Sequence, residues 1–501
     1  YSLFLLFLKN TQHQRLRMAS YTTRSNENNP PALKAVKNYV PPCRRKKSAQ
    51  PASTFSENTQ TPFKNLSASL DESDGDLKAE LKPFELGGCA DPRVVKGSIM
   101  DDIFIPRKAS RLDSKFRTTP YSNLNKVSGT KQWDIGAVSE CGVREANEDS
   151  YLIVGNLLEA FKDCDGSILN RYTEQHPPGL FCIFDGHLGD QAARYAAEYL
   201  TKFIEDELRS DQPQKNESTR EGKDIAEDIV HQALTKLDKT FCQLCVDERD
   251  QWESGATALV AVLVDNHLIV GNLGDARAIA SRSAGKESDV EDLVKQGWQR
   301  LPEGGSGNRI CLYKEMSDSH HPSREDERTR IEEAGGWITY ESDILKRGFS
   351  DNTDKAAAPN LVEVSRVCGE LAVSRSLGDK DYKADFHPPS DIGRDQWDSP
   401  VYLSFPKHHV RRFQGDLISS KPEFQTLRMS ESNFYEEFFL LACDGLWDVL
   451  DADDVVRLTR HLLFDQGWPA SEAARRLAEL AVHLGSSDNV TVIVVAMGQR
   501  K

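Results

Sequence analysis

The stretch Phe438-Phe439-Leu440-Leu441-Ala442-Cys443-Asp444-Gly445-Leu446-Trp447-Asp448-Val449-Leu450 decides how the chain is read. Phe438 to Ala442 form an apolar run of strand length with no polar face, which predicts a strand buried on both sides. Asp444-Gly445 ends the run with a turn signal, and a second acid, Asp448, follows. A buried strand is a rigid mount, so a carboxylate at its end is held in a fixed place. Upstream, Phe181-Cys182-Ile183-Phe184 runs in the same way into Asp185-Gly186-His187. Two such strands predict carboxylates converging on one site.

Elements of both kinds surround these strands. Order is expected to begin near Trp133, with strands over Asp134–Val138 and Ser150–Val154 flanking a polar turn. Ala192, Ala196, Leu200 and Phe203, with Ala193 and Tyr199 beside them, follow helical spacing. A charged linker, Ser210 to Lys223, leads to a second helix whose face is Ile225, Ile229, Ala233, Leu237, Phe241 and Leu244. Strand-like runs follow at Thr257–Val264, Leu268–Gly271 and Ala276–Ala280, the first two joined at an Asp265-Asn266 hairpin turn. Ser323 to Ala334 reads as a helix with a Ser323/Asp326 capping box and a Gly335-Gly336 stop. Past the long strand come amphipathic helices at Ala452–Phe464 and Ala470–Leu484, and a last strand, Val490–Ala496. The alternation predicts a layered α/β sandwich. Residues 281–316, 340–360 and 383–418 are polar and read as insertions.

The 501 residues suffice for one large domain with extensions or for two to three domains. The net charge of −15 argues against general binding to nucleic acid or an anionic membrane. No stretch reaches the ~20 apolar residues that span a bilayer. The ten cysteines are scattered, several in apolar strands, as in a reduced intracellular protein. Cys242 and Cys245 form a lone CxxC inside a helical pattern, without the second pair a zinc site needs. Residues 1–130 read as a disordered basic and polar extension, and 131–499 as the folded domain. Arg44-Arg45-Lys46-Lys47 is a short basic cluster, read first as a solvated tail and second as a nuclear import signal. The chain does not begin with Met and its first is Met18, so residues 1–17 read as untranslated sequence or the tail of a leader. The expected localisation is cytoplasmic, nuclear or both, with organelle targeting by an Arg-rich, acid-poor start left open.

Any one Asp-Gly pair is first of all a turn. Here acids recur at the ends of apolar strands: Asp185, Asp275 in Gly274-Asp275, Asp444, and Asp488 before the last strand, with Glu148-Asp149 between the first two strands. Clustered carboxylates raise one another's pKa and cost stability unless cations compensate. Oxygen ligands without a His or Cys cluster point to hard ions, Mg²⁺ or Mn²⁺. Two such ions ~4 Å apart can activate a water and hold a phosphoryl group. Arg144 is placed to clamp a phosphate, and His187 to protonate a leaving alkoxide. Other phosphate chemistries fail on motif, since there is no GxxxxGK[ST] loop, no Cys with Arg six residues on, and no GxSxG elbow.

These residues resemble the metal-dependent protein phosphatases of the type 2C family over roughly residues 130–498. The motifs stand in the family's order: Arg144 to Asp149 (RxxNED), Phe184 to His187 (FDGH), Ser254 to Ala258 (SGATA), Gly274 to Arg277 (GDAR), Leu371 to Asp379 (LAVSRSLGD), Ala442 to Asp448 (ACDGLWD) and Ser486 to Ile493 (SSDNVTVI). The resemblance implies an α-β-β-α sandwich, a central antiparallel β-sandwich flanked by pairs of helices, with a two-metal centre at one end. It implies hydrolysis of phosphoserine and phosphothreonine in proteins. By motif position Asp185, Asp444, Asp488 and the Gly186 carbonyl are metal ligands. Glu148 and Asp149 hold metal-bound waters or a metal directly, and Asp275 and Asp448 match a weaker third ion. Arg144 matches the phosphate-binding arginine and His187 the general acid, while Arg375 and Asp379 are given no direct catalytic role. The one local departure is Leu188-Gly189 where the family usually has a glycine pair.

The alternative reading is a catalytically silent phosphatase-like domain that binds partners as a regulator. Every matched metal position keeps its acid, which favours the enzyme. The expected partners are phosphoprotein substrates, with no nucleic acid or membrane, and the expected state of the chain is a monomer.

Overall fold

A computed structural model describes residues 133–161, 178–210, 221–247, 252–301, 309–344, 361–386, 413–429 and 434–497. All belong to Ala90–Lys501, the second of two units into which the chain divides. The readings made for residues 1–130, and for most of the insertions at 340–360 and 383–418, lie outside the described residues.

Two antiparallel sheets carry the fold. One runs in the order β1 (Asp134–Glu140), β16 (Val490–Ala496), β15 (Phe434–Ala442), β8 (Arg277–Ala284), β10 (Ile310–Glu315) and β9 (Gln299–Arg300). The other runs β14 (Glu423–Arg428), β7 (His267–Leu273), β6 (Ala258–Val264), β3 (Gly179–Phe184) and β2 (Ser150–Val154). Alternation along the decisive strand explains its unbroken apolarity. Phe439, Leu441 and Cys443 pack into a core shared with Phe181, Ile183 and Leu259 of the other sheet. Phe438, Leu440 and Ala442 point the opposite way, into a core with α7 (Ala452–Arg460) and α8 (Ala470–His483). On the far side, Leu180, Cys182 and Phe184 of β3 share a core with Leu157 of the short helix α1 (Leu157–Ala160) and with α2 (Gln191–Ser210) and α3 (Gly222–Asp247). The order of layers is therefore α-β-β-α, as the resemblance implied. Across the middle, the Phe181 and Phe439 rings meet edge to face with centroids 5.2 Å apart.

The Asp265-Asn266 turn is present, with φ of 47° and 60° at the two residues, the left-handed pair a two-residue hairpin requires. Three local readings change. Helix α5 (Glu325–Glu333) starts after Ser323, with no side-chain cap. Arg324 takes the Asp326 carboxylate in a fork at 2.8 and 2.7 Å, and the Ser323 amide donates to Ser365 Oγ, so no capping box forms. The described part of stretch 281–316 belongs to the sandwich: it holds the end of β8, helix α4 (Glu287–Lys295), and strands β9 and β10 that extend the first sheet. The acidic turn after β15 is a single helical turn, α6 (Asp444–Trp447).

Two small sheets also lie among the described residues. Strands β11 (Ile338–Ile344) and β12 (Leu361–Val367) form a hairpin beside α5. Strands β13 (Leu377–Gly378), β5 (Gly255–Ala256) and β4 (Gly186–His187) form a short ladder at the end of the sandwich.

Candidate active site

Strand register brings the acids to one end. Ala442, the last residue of β15, lies opposite Val492 of β16 and Arg277 of β8. Asp444, Asp488 and Asp275, each just beyond its strand, therefore leave the first sheet at the same edge. In the other sheet Ser150 pairs with Phe184, so Glu148-Asp149 and Asp185 leave together. Thr257 fixes Asp185 through its amide, which donates to the Asp185 carbonyl at 2.8 Å, and its hydroxyl, which accepts the Asp185 amide at 3.3 Å.

The glycines of the two Asp-Gly pairs are needed for closeness, not for turning. Neither Gly186 nor Gly445 is among the positive-φ residues. A Cβ on Gly186 would sit 2.3 Å from the Glu148 carbonyl oxygen, and one on Gly445 would sit 2.0 Å from the Asn489 carbonyl oxygen. Each glycine lets a neighbouring loop lie directly against the strand end. Asn489 then ties that loop down. Its Oδ1 accepts the Glu148 amide (2.9 Å), and its Nδ2 donates to the carbonyls of Cys141 (2.9 Å) and Ala146 (3.0 Å). Thr491 Oγ1 donates to Asp149 Oδ2 at 2.6 Å.

Asp185, Asp444 and Cys443 each offer an atom within 4.8 Å of the others. The thiol is already engaged, accepting the Thr491 amide at 3.0 Å and donating to the Asn489 carbonyl at 3.4 Å. The free donors are therefore carboxylate oxygens, a set suited to hard divalent cations. Burial, then the charges of the other acids, push the Asp185 and Asp444 carboxyls well above the ordinary range. Burial pushes Asp149 up to about 6 despite the bond from Thr491, and burial followed by the charge of Asp275 pushes Asp448 to about 6. Asp275 is raised as well, chiefly by burial. A site that resists its own ionisation in this way is one that cations would relieve.

At the rim, Arg144 donates from Nη2 to Asp488 Oδ2 (2.7 Å) and from Nε to the Ser487 carbonyl (2.9 Å), with half its side chain exposed. His187 Nε2 lies 3.0 and 2.9 Å from the two oxygens of Asp379. Burial alone would lower the His187 pKa; the charge and hydrogen bond of Asp379 outweigh it and raise the value.

The sequence reading missed four supports. Asp379 was given no role beside His187. Asn489 and Thr491 stood in a quoted motif without a function. His320 was not singled out, yet it is fully buried and accepts the Gly274 amide on Nδ1 (3.1 Å), fixing the turn that presents Asp275. Its Nε2 faces Glu423 at 2.9 Å, and burial holds its pKa down at about 4. No local signal marked it: His320 stands in a polar run, Ser317-Asp318-Ser319-His320-His321-Pro322-Ser323, and its burial depends on contacts distant in sequence.

The family model described as Protein phosphatase 2C matches residues 133–490. The chain belongs to this family. Proteins similar to it occur in distant organisms. It is 28% identical over 362 residues to "Probable protein phosphatase 2C 22" of Arabidopsis thaliana, covering 72% of this chain and 68% of that one. It is 26% identical over 370 residues to the integrin-linked kinase-associated serine/threonine phosphatase 2C of Rattus norvegicus, covering 71% and 70%. Among solved structures, the serine-threonine phosphatase 2C of Toxoplasma gondii aligns with a TM-score of 0.45 at 19% identity, over 74% of this chain and 96% of that one.

Proposed function

We propose that this type 2C phosphatase hydrolyses phosphoserine and phosphothreonine in proteins with Mg²⁺ or Mn²⁺ at the acidic end of the sandwich. The observation that carries this is the meeting of acids from both sheets, with Asp185 and Asp444 in the closest group. Asp185, Asp444, Asp488 and the Gly186 carbonyl would hold two ions. Glu148 and Asp149 would hold their waters or an ion directly, and Asp275 and Asp448 a weaker third. Bound there, the ions would acidify a shared water as the nucleophile and draw charge from the phosphoryl oxygens.

The chain supplies the rest. Arg144, reaching in from the rim, orients the phosphate through paired N–H donors. His187 delivers a proton to the serine or threonine oxygen as it leaves, since an alkoxide is too basic to depart unprotonated. Phosphate release from a phosphothreonine peptide, measured with Mn²⁺ and with chelator, tests the reading. Metal-dependent release is expected, and its absence at every metal concentration would overturn it.

A further inference from the structure

We infer that Asp379 is the positioning residue of the general acid: it holds His187 by Nε2–H, so that the proton given to the leaving group comes from Nδ1. The inference rests on the proposed role of His187. Both carboxylate oxygens of Asp379 lie within 3.0 Å of Nε2. Among the described residues no group is bonded to Nδ1, so that nitrogen is left for substrate.

The seat of Asp379 is built by three distant segments. Its side chain is 1% exposed, with His187 at 24% forming the open side. The Ser376 hydroxyl donates to Oδ2. The Asp379 backbone is left-handed, with φ 51° and ψ 49°, a conformation that aspartate and asparagine tolerate better than most residues. Gly255 is the floor: it pairs with His187 on one side and Gly378 on the other, and a Cβ there would lie 2.2 Å from Asp379 Oδ2 and 2.4 Å from His187 Nε2. Beneath, the buried Lys383 Nζ bridges Asp238 Oδ2 and the Ser376 carbonyl, both at 3.2 Å, and Asp238 Oδ1 accepts the Gly378 amide at 2.8 Å. The short ladder of β4, β5 and β13 thus brings together two side chains that lie 192 residues apart in sequence.

The proton balance is simple. As the P–O bond to the serine or threonine oxygen breaks, the Nδ1–H bond breaks and its proton goes to that oxygen. Neutral imidazole remains with Nε2–H still on Asp379, and water restores the Nδ1 proton. Without Asp379 the neutral ring is free to carry its proton on Nδ1 or to rotate, and the donor is misplaced.

The test compares Asp379→Asn and Ser376→Ala with His187→Ala on two substrates, a phosphoserine peptide and p-nitrophenyl phosphate, whose leaving group needs no proton. Asp379→Asn is expected to cut kcat on phosphoserine by about tenfold or more, with KM unchanged and p-nitrophenyl phosphate hydrolysis altered less than about twofold. Ser376→Ala gives the same selectivity to a smaller degree, and serves if Asp379→Asn folds poorly. Ring ¹⁵N spectra of His187 at high pH should show the Nε2–H tautomer in the wild type. Equal slowing of both substrates by both Asp379→Asn and Ser376→Ala, or an Nδ1–H tautomer, overturns the inference. If His187→Ala is selective for phosphoserine while Asp379→Asn is not, the general acid stands and only the role of Asp379 falls. If His187→Ala slows both substrates equally, the general-acid reading itself falls and this inference with it.

Discussion

Arg144 Nη2 lies 2.7 Å from Asp488 Oδ2, which couples the proposed phosphate-binding arginine to a proposed metal ligand. The contact ties the guanidinium to Asp488 and would leave its remaining N–H groups for phosphate. Arg144→Ala is expected to lower kcat/KM on a phosphopeptide by about 100-fold, the scale of losing one oriented transition-state donor. Arg144→Lys should recover little, because an ammonium cannot make the paired bonds. Initial rates and the inhibition constant of inorganic phosphate measure both; a wild-type phosphate constant in Arg144→Ala would remove its role.

Asp444→Asn separates the cost of the nest from its use. Raised carboxyl pKa values mean that the folded protein, in chelator, binds more protons than the unfolded chain. Asp149 and Asp448, raised from 3.8 to about 6, give stability that is complete below pH ~4 and lost as pH rises through about 6; Asp444 acts in the same direction. At pH 7 in chelator, Asp444→Asn should therefore have a higher Tm than the wild type. With Mn²⁺ the order should reverse, and turnover should fall by at least about 100-fold, beyond the usual cost of disturbing a ligand's outer partner. Thermal melts in the two buffers decide; a lower Tm in chelator would contradict the electrostatic account.

His320 predicts an acid limb of opposite sign. Its pKa is depressed to about 4 from 6.5, so its contribution is present above pH ~6.5 and lost as pH falls toward about 4. The full span is about 3 kcal/mol at ~1.4 kcal/mol per pKa unit. Denaturant melts between pH 4 and 7 should show this dependence in the wild type and a flatter one in His320→Asn. Identical slopes would mean that the buried ring is not the group responsible.

Gly445→Ala tests the close approach. The new Cβ would overlap the Asn489 carbonyl, which is backbone and cannot rotate away. The segment carrying Asp488 must then move, at a cost of about 1–3 kcal/mol in packing. A rise of about tenfold or more in the Mn²⁺ concentration for half-maximal activity is expected. Unchanged metal dependence would show that the Asp488 segment absorbs the methyl.

Strands buried on both faces were the most legible part of the chain, because Phe438 to Ala442 and Phe181 to Phe184 lose no polar positions to solvent. The acids that end them were legible for the same reason. What was hidden depends on contacts remote in sequence. Nothing near Asp379 announces His187, and nothing in Asp-Gly says whether the glycine serves a left-handed φ or an approaching carbonyl. Strand β9 is two exposed residues, and β10 sits behind a polar stretch, so 281–316 read as an insertion. The start of α5 turned on a competition between Ser323 and the fork of Arg324, which spacing alone does not rank.

The edge-to-face contact of Phe181 and Phe439 would make the proposed metal centre a gauge of the core. Asp185 follows Phe181 by four residues and Asp444 follows Phe439 by five, on strands from different sheets. The two rings help to space the sheets, and with them the strand ends that carry the proposed metal-binding acids. Cations bound between those acids would stabilise the fold that spaces them by mass action. Ion affinity would then report on packing deep in the sandwich. A worn core would show itself first as a greater appetite for manganese, before any loss of fold.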